Sequence, residues 1–138
     1  MRAAVKHAVL LAVGGALYCL IELIWRGRTH PAMFAVGGLA FVLIGLINEV
    51  LNWDTPLPEQ MILAATAVTA VEFAAGLVLN RWLGLGIWDY SNLPGNVLGQ
   101  ICPQFWAAWC ALSLPAIVLD DWLRYRLFCE DKPRYVWR

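Results

Sequence analysis

The chain has 138 residues, 61% hydrophobic and only 14% charged, with eight tryptophans and a formal net charge of zero. Soluble domains carry about 25% charged residues, so the composition excludes an ordinary soluble globule. The neutral balance gives no electrostatic basis for binding nucleic acid. What remains is an all-α, polytopic membrane protein with room for four short-looped spans.

Four apolar segments of near-spanning length can be traced, each close to the ~20 residues needed to cross a ~30 Å hydrocarbon layer. None shows the period-two alternation of a strand. The first runs from Ala8 to Trp25, behind Arg2 and Lys6. It is too long for a signal peptide, and Glu22 and Trp25 occupy the place of a small-residue cleavage site. Bulky Tyr18 and Leu20 flank Cys19, unlike a lipoprotein cysteine. The segment therefore reads as a retained span. Ala4, Ala8, Ala12 and Ala16 form a stripe on which another helix can approach closely. Glu22 lies on a different face, with Gly15, Cys19 and Arg26.

The second segment, Pro31 to Leu51, carries Gly38 and Gly45 two turns apart and ends at an interfacial Asn48-Glu49. The third, Gln60 to Asn80, places Ala65, Thr69 and Gly76 on the side of Glu72. Residues 81–96 form a long, apolar connection in which Gly84 and Gly86 discourage helix. It either lies along the interface or dips back into the bundle. Asp89, Ser91 and Asn92 are turn formers, and Leu93-Pro94-Gly95 is a turn signal. The fourth segment, Val97 to Leu119, presents Gln100, Gln104, Ala107 and Ala111 on one face. Pro103 should kink it near one end and Pro115 near the other. The tail, 120–138, mixes Trp122, Tyr125 and Phe128 with charges. It reads as a cytoplasmic, interfacial helix with snorkelling arginines, stopped by Pro133 and set apart from a bundle over 1–119.

Basic residues orient the bundle. Four spans put both termini on one side, with Arg2, Lys6, Arg124, Arg126, Lys132, Arg134 and Arg138. Arg26, Arg28 and Arg81 fall on the other. Both termini therefore read as cytoplasmic in a multi-pass protein of the cell membrane.

Glu22 and Glu72 are the candidates for function, because a carboxylate in a span is kept by a partner or a role. The plain reading of Glu22 is an i,i+4 ion pair with Arg26. That of Glu72 is a hydrogen-bonded acid packing the bundle. In the functional reading they join Arg26, Arg81, Asp89, Tyr90, Asn92, Asn96 and Gln100 around an outward-facing cavity. Such a cavity suits a polar solute, a cation or a lipid head group. Cys19, Cys102, Cys110 and Cys129 lack metal-ligand spacing, and His7 and His30 have no nearby cysteine. No metal or cofactor is called for.

Three stretches carry a resemblance. They are Ile21-Glu22-Leu23-Ile24-Trp25-Arg26-Gly27, Val71-Glu72-Phe73-Ala74-Ala75-Gly76 with Asn80, and the run Trp88-Asp89-Tyr90-Ser91-Asn92-Leu93-Pro94-Gly95-Asn96-Val97-Leu98-Gly99-Gln100-Ile101-Cys102. Over about Tyr18 to Asp121 the chain resembles the small membrane proteins of the putative ABC-transporter type IV, or CmpB-like, family. It departs from their pattern at His30-Pro31-Ala32-Met33 and Gly37-Gly38. The resemblance adds Asn80 to the candidate site and implies a transport role. The chain has no Gly-x4-Gly-Lys-Ser/Thr loop, so it could be at most a membrane subunit served by an ATPase partner.

Three classes stay open: a small transporter or permease component, with a homo-oligomer as one form; an enzyme acting on a lipid-linked or phosphate-bearing substrate; and a non-catalytic assembly or sensing subunit. A transporter predicts a polar path to both faces. An enzyme predicts a one-sided pocket with a lateral opening. An assembly protein predicts a filled interior.

Overall fold

A computed structural model describes residues 2–137. Four α-helices follow one another: α1 (Arg2–Arg26), α2 (Pro31–Val50), α3 (Leu57–Gly76) and α4 (Pro103–Phe128). The end of α3 widens into π-helical turns over Leu77–Trp82. Among the described residues no strand forms, and the one extended pairing is an isolated Val97–Ile101 bridge. The chain is all-α, as its composition requires. Arg2–Arg26 and the continuous Leu57–Trp82 are long and apolar enough to cross a membrane, and Pro31–Ile47 is a shorter apolar helix.

Local chemistry sets the first two helices. α1 stops at Gly27, whose φ of +73° takes the chain into the left-handed region while its N–H still reaches the Leu23 carbonyl at 3.0 Å. The His30 ring nitrogen then accepts from Ala32 N–H at 3.1 Å, capping α2 just ahead of Pro31. The two helices close on each other through glycine. A methyl placed on Gly14 would lie 2.2 Å from Phe41 Cβ, and one on Gly37 would lie 2.3 Å from Tyr18 Cβ. Gly15 and Gly38 meet the Phe34 and Leu11 carbonyls in the same manner. The expected alanine seam is not used within this chain: Ala4, Ala8, Ala12 and Ala16 are all exposed. Paired glycines allow a closer backbone approach than alanine methyls do.

α3 packs on α2 and α4 around Ala40, Ile44, Leu57, Ala64, Val68 and Ile117. α1 packs closely on α2 alone. It therefore stands off from α4, and a crevice runs between them.

Two expectations for the C-terminal third are corrected. The fourth helix starts at Pro103, not Val97, so Gln100 belongs to the preceding loop. Pro103 causes no kink there, because its missing N–H would have been unpaired at a helix start in any case. Nor do residues 120–128 form a separate interfacial helix. They are the last turns of α4, and Asp120, Asp121 and Arg124 are buried. Arg124 does not snorkel, since Asp120 holds its Nε at 2.9 Å and Glu49 and Glu130 also pair with it. Lys6 ties Glu49 to Glu130 at 3.3 and 3.0 Å. Gly45 supplies the room: a methyl there would sit 2.5 Å from Asp120 Oδ1. Beyond α4 the chain doubles back. Tyr135 donates its hydroxyl to Asp121 at 2.9 Å, and Leu57 N–H donates to the Val136 carbonyl at 2.7 Å.

Arg124→Ala should therefore destabilise the fold by about 3–5 kcal/mol, because it strands the buried Asp120 carboxylate. Ala12→Leu, on the exposed stripe, should change stability by no more than ~0.5 kcal/mol. Thermal unfolding in detergent measures both. Equal melting of Arg124→Ala and the parent would show that the ion network carries no stability.

Candidate functional site

The loop between the π-turns and α4 folds back onto the end of α3. Tyr90 N–H donates to the Gly99 carbonyl at 2.7 Å, next to the Val97–Ile101 bridge. Gly99 has a φ of +74°, and a methyl on it would meet Asp89 Oδ1 at 2.9 Å, so glycine is required twice over. Asn96 accepts from Gly99 N–H at 3.0 Å and donates to the Leu93 carbonyl at 2.8 Å. Asn80 and Gln100 join at 2.9 Å, and Asn80 also accepts from Ile87 N–H. Gln100's carbonyl accepts from the indole of the buried Trp88 at 3.0 Å. Gly76 leaves the notch into which Trp88 and Gln100 fit.

Beneath this roof stand the two glutamates. Glu22 is 5% exposed; one oxygen accepts from Arg26 at 3.0 Å and the other from the Thr29 hydroxyl at 2.7 Å. Arg26 spends its other terminal nitrogen on the Ile87 carbonyl at 2.7 Å, tying α1 to the roof. Glu72 is 6% exposed and has no cationic partner among the described residues. Its Oε2 accepts from Trp109 Nε1 at 3.3 Å and faces the Tyr90 hydroxyl at 3.5 Å. Its Oε1 has no hydrogen-bond partner among the described residues. Burial, reinforced by the charge of Glu72, pushes the Tyr90 hydroxyl well above its ordinary range, so it stays a donor. Tyr18 stacks on Trp109 with ring centres 5.8 Å apart, and Tyr90 stacks on Phe105 at 4.5 Å.

These rings wall a cavity of about 480 Å³ between α1, α4 and the loop. Tyr18, Trp25, Trp88, Tyr90, Phe105 and Trp109 line it, with Glu22, Arg26 and Asp89. An apolar crevice of about 170 Å³ shares Tyr18, Ile21, Trp109 and Leu112 with it and continues down α1 and α4 as far as Leu119. A smaller cleft of about 200 Å³ lies on the other side of the Glu22–Arg26 pair, beside Arg28 and His30. Glu72 borders a space of about 10 Å³ under Tyr18 and Trp109, the size of one water.

The structure thus divides the ten candidates. Glu22, Arg26, Asp89 and Tyr90 line the main cavity, and Glu72 sits behind its aromatic wall. Asn80, Asn96 and Gln100 organise the roof. Arg81 and Asn92 are exposed, and no side-chain hydrogen bond or ion pair joins them to the site among the described residues. Asp89 is exposed at the rim; instead of meeting an arginine it accepts from the Ser91 hydroxyl and N–H, which hold its carboxyl below the usual range. Tyr18, Thr29, Trp25, Phe105 and Trp109 were not anticipated. The signal for the last two was the i, i+4, i+7 set Phe105, Trp109, Leu112. The sequence reading favoured the opposite face of α4 instead, where Gln104, Ala107 and Ala111 prove exposed.

The family described as putative ABC-transporter type IV matches residues 13–129, and the chain belongs to it. No curated protein and no solved structure matches the chain.

Glu72 accepts from neutral donors, so an amide can take its place. Glu72→Gln should shift stability by less than ~1 kcal/mol. Glu72→Leu leaves the Trp109 indole and the Tyr90 hydroxyl without their acceptor and should cost about 1–3 kcal/mol. The pair is compared by thermal unfolding in detergent. Equal loss in both variants would mean the charge itself is structural.

Proposed function

We propose that this family member is a four-span, membrane-embedded ligand-binding component of a transport system, with its site facing outward and opening sideways into the bilayer. Its site would take an amphiphilic solute, the polar end under the loop and the apolar end in the crevice. One observation carries this reading: α1 stands off from α4, and the gap is polar at the loop end and apolar below. A cavity of several hundred Å³ with a few convergent polar groups is the usual form of a small-molecule site. Reading α1 to α4 as four spans puts the basic termini on the cytoplasmic side. The apolar crevice ends at Leu119, and the buried Asp120–Arg124 ion pair lies beyond it. Translocation would therefore require a second copy or an ATPase-driven partner.

The one-sidedness of the cavity also favours a second reading, an enzyme acting on a lipid-linked substrate. Against it, both glutamates are already engaged: Glu22 by Arg26 and Thr29, Glu72 by Trp109 and Tyr90. Both Glu22 oxygens are taken, and Glu72, whose Oε1 has no partner among the described residues, lies behind the aromatic wall and does not line the main cavity.

Two measurements test the proposal. With the native cysteines replaced, Thr55→Cys should label from the cytoplasm and Asn92→Cys from outside; labelling of position 92 from the cytoplasm alone overturns the orientation. Native mass spectrometry of protein released from detergent should show a bound amphiphile, which Leu112→Trp, filling the crevice, expels. A bare protein in both cases removes the binding role. Recovery of chemically altered solute after incubation would decide for the enzyme.

A further inference from the structure

The 480 Å³ cavity has an unusual wall for a polar site. Six aromatic side chains line it, in two stacked pairs plus Trp25 and Trp88. An aromatic face is negative, and it attracts a cation placed within about 6 Å of its centre. The ionisable groups agree with the rings. Glu22 and Asp89 are acidic, and Arg26 is the one cation among the described lining residues.

Arg26 is a poor anchor for an anion, because Glu22 already neutralises its charge and each terminal nitrogen has given one N–H. One terminal nitrogen is committed to Glu22 and the other to the Ile87 carbonyl. An anionic head group reaching the remaining N–H groups of Arg26 would lie beside the buried carboxylate of Glu22. It would also meet the rim charge of Asp89. A cation meets none of these obstacles. Glu22 and Asp89 leave the lining one negative charge in excess of Arg26, and the six rings offer a cation π surface. Glu72, behind Tyr90 and Trp109, polarises the same two rings through the hydrogen bonds they give it.

A bare metal ion fits poorly. Hard cations need six or more oxygens to replace their water, whereas this wall is mostly carbon. An organic cation carries its charge on carbon-covered nitrogen or phosphorus and needs no such shell. The crevice below, lined by Leu17, Ile21, Phe41, Ile44 and Leu112, takes its apolar part.

We infer that the cavity between α1, α4 and the loop binds amphiphilic organic cations, held by the aromatic wall with Glu22 and Asp89, and entering sideways through the α1–α4 crevice. This rests on the reading of the cavity as a ligand site open to the bilayer, and it names the ligand class.

The test uses two probes of one shape and opposite charge, tetraphenylphosphonium and tetraphenylborate. Binding to the full chain in neutral maltoside micelles is followed by equilibrium dialysis and by quenching of tryptophan fluorescence, against protein-free micelles. The cation should bind saturably and at least about tenfold more tightly than the anion, the scale of one or two desolvated cation–π contacts. Phe105→Leu, which removes a π face without changing charge, should weaken the cation about tenfold and leave the anion unaffected. Asp89→Asn keeps the turn to Ser91 and removes the rim charge; it should weaken the cation severalfold, less so at high salt. Thermal unfolding shows that each variant is folded. Equal binding of the two probes, or preference for the borate, overturns the cation assignment but leaves a lateral ligand site standing. No saturable binding of either probe by folded protein removes the assignment and the ligand site together.

Discussion

The glycine contact between α1 and α2 is the constraint on which the rest of the molecule depends. Gly14 and Gly15 on one helix and Gly37 and Gly38 on the other bring the two backbones so close that a methyl at any of them would collide. In the proposed four-span arrangement lipid supplies no hydrophobic drive between helices, so this close van der Waals contact is what would fix α1. Once fixed there, α1 cannot also close on α4. The large side chains that face the remaining gap, Tyr18 from α1 and Phe105 and Trp109 from α4, wall it and do not fill it. The cavity is thus the remainder of a packing choice made elsewhere.

The two ends of the bundle use the same device with opposite results. Each has a carboxylate and an arginine four residues on along one helix: Glu22–Arg26 at the loop end and Asp120–Arg124 at the other. Side-chain exposure separates them. Arg124 is 4% exposed, enclosed by Glu49 and Glu130 as well, so the group is a lock. Arg26 is 29% exposed and neighbours two cavities. The same pair there is rigid on one side and reachable on the other. Rigidity comes from the Ile87 carbonyl and the Thr29 hydroxyl, which hold the pair in one orientation. A preorganised carboxylate of this kind can meet a ligand without first ordering itself.

The helical class and the approximate extent of the first three helices were legible in the sequence, because apolar length alone dictates them. The importance of Glu22 and Glu72 was legible for the same reason, since a charge stands out in an apolar run. The residues around them were harder. Spacing put Arg26 beside Glu22, and the structure agrees. Spacing put Arg81 after Glu72, but nine residues at about 100° each carry it to the opposite side of the helix, and Arg81 is exposed. Asp120, Asp121 and Arg124 read as surface charges because the groups that enclose them, Glu49 at Arg124 and Tyr135 at Asp121, are remote in sequence. The aromatic wall was hidden for another reason: a Trp or Tyr in a span reads as packing or as an interfacial anchor, and nothing local marks one that faces a void.

The run from Trp88 to Cys102, the most specific stretch of the sequence, turns out to be mostly architecture. Asp89 and Ser91 close one turn, Asn96 closes the next, and Gly99 allows Tyr90 to pair with its carbonyl. Trp88 and Gln100 lock into the notch at Gly76. This framework places Trp88 and Asp89 at the cavity and, above all, Tyr90. It holds Tyr90 with its ring stacked on Phe105 and its hydroxyl toward Glu72. Tyr90 is therefore where the roof, the buried acid and the cavity wall meet. Its ring faces the cavity while its hydroxyl is given to an acid behind the wall. A ligand pressing on that ring would bear on Glu72 without touching it, and a change at Glu72 would alter the wall without altering its shape. The chemistry of the site thus resides in aromatic and acidic groups scattered over α1, α3, α4 and the start of the loop. The contiguous motif supplies the geometry that brings them together.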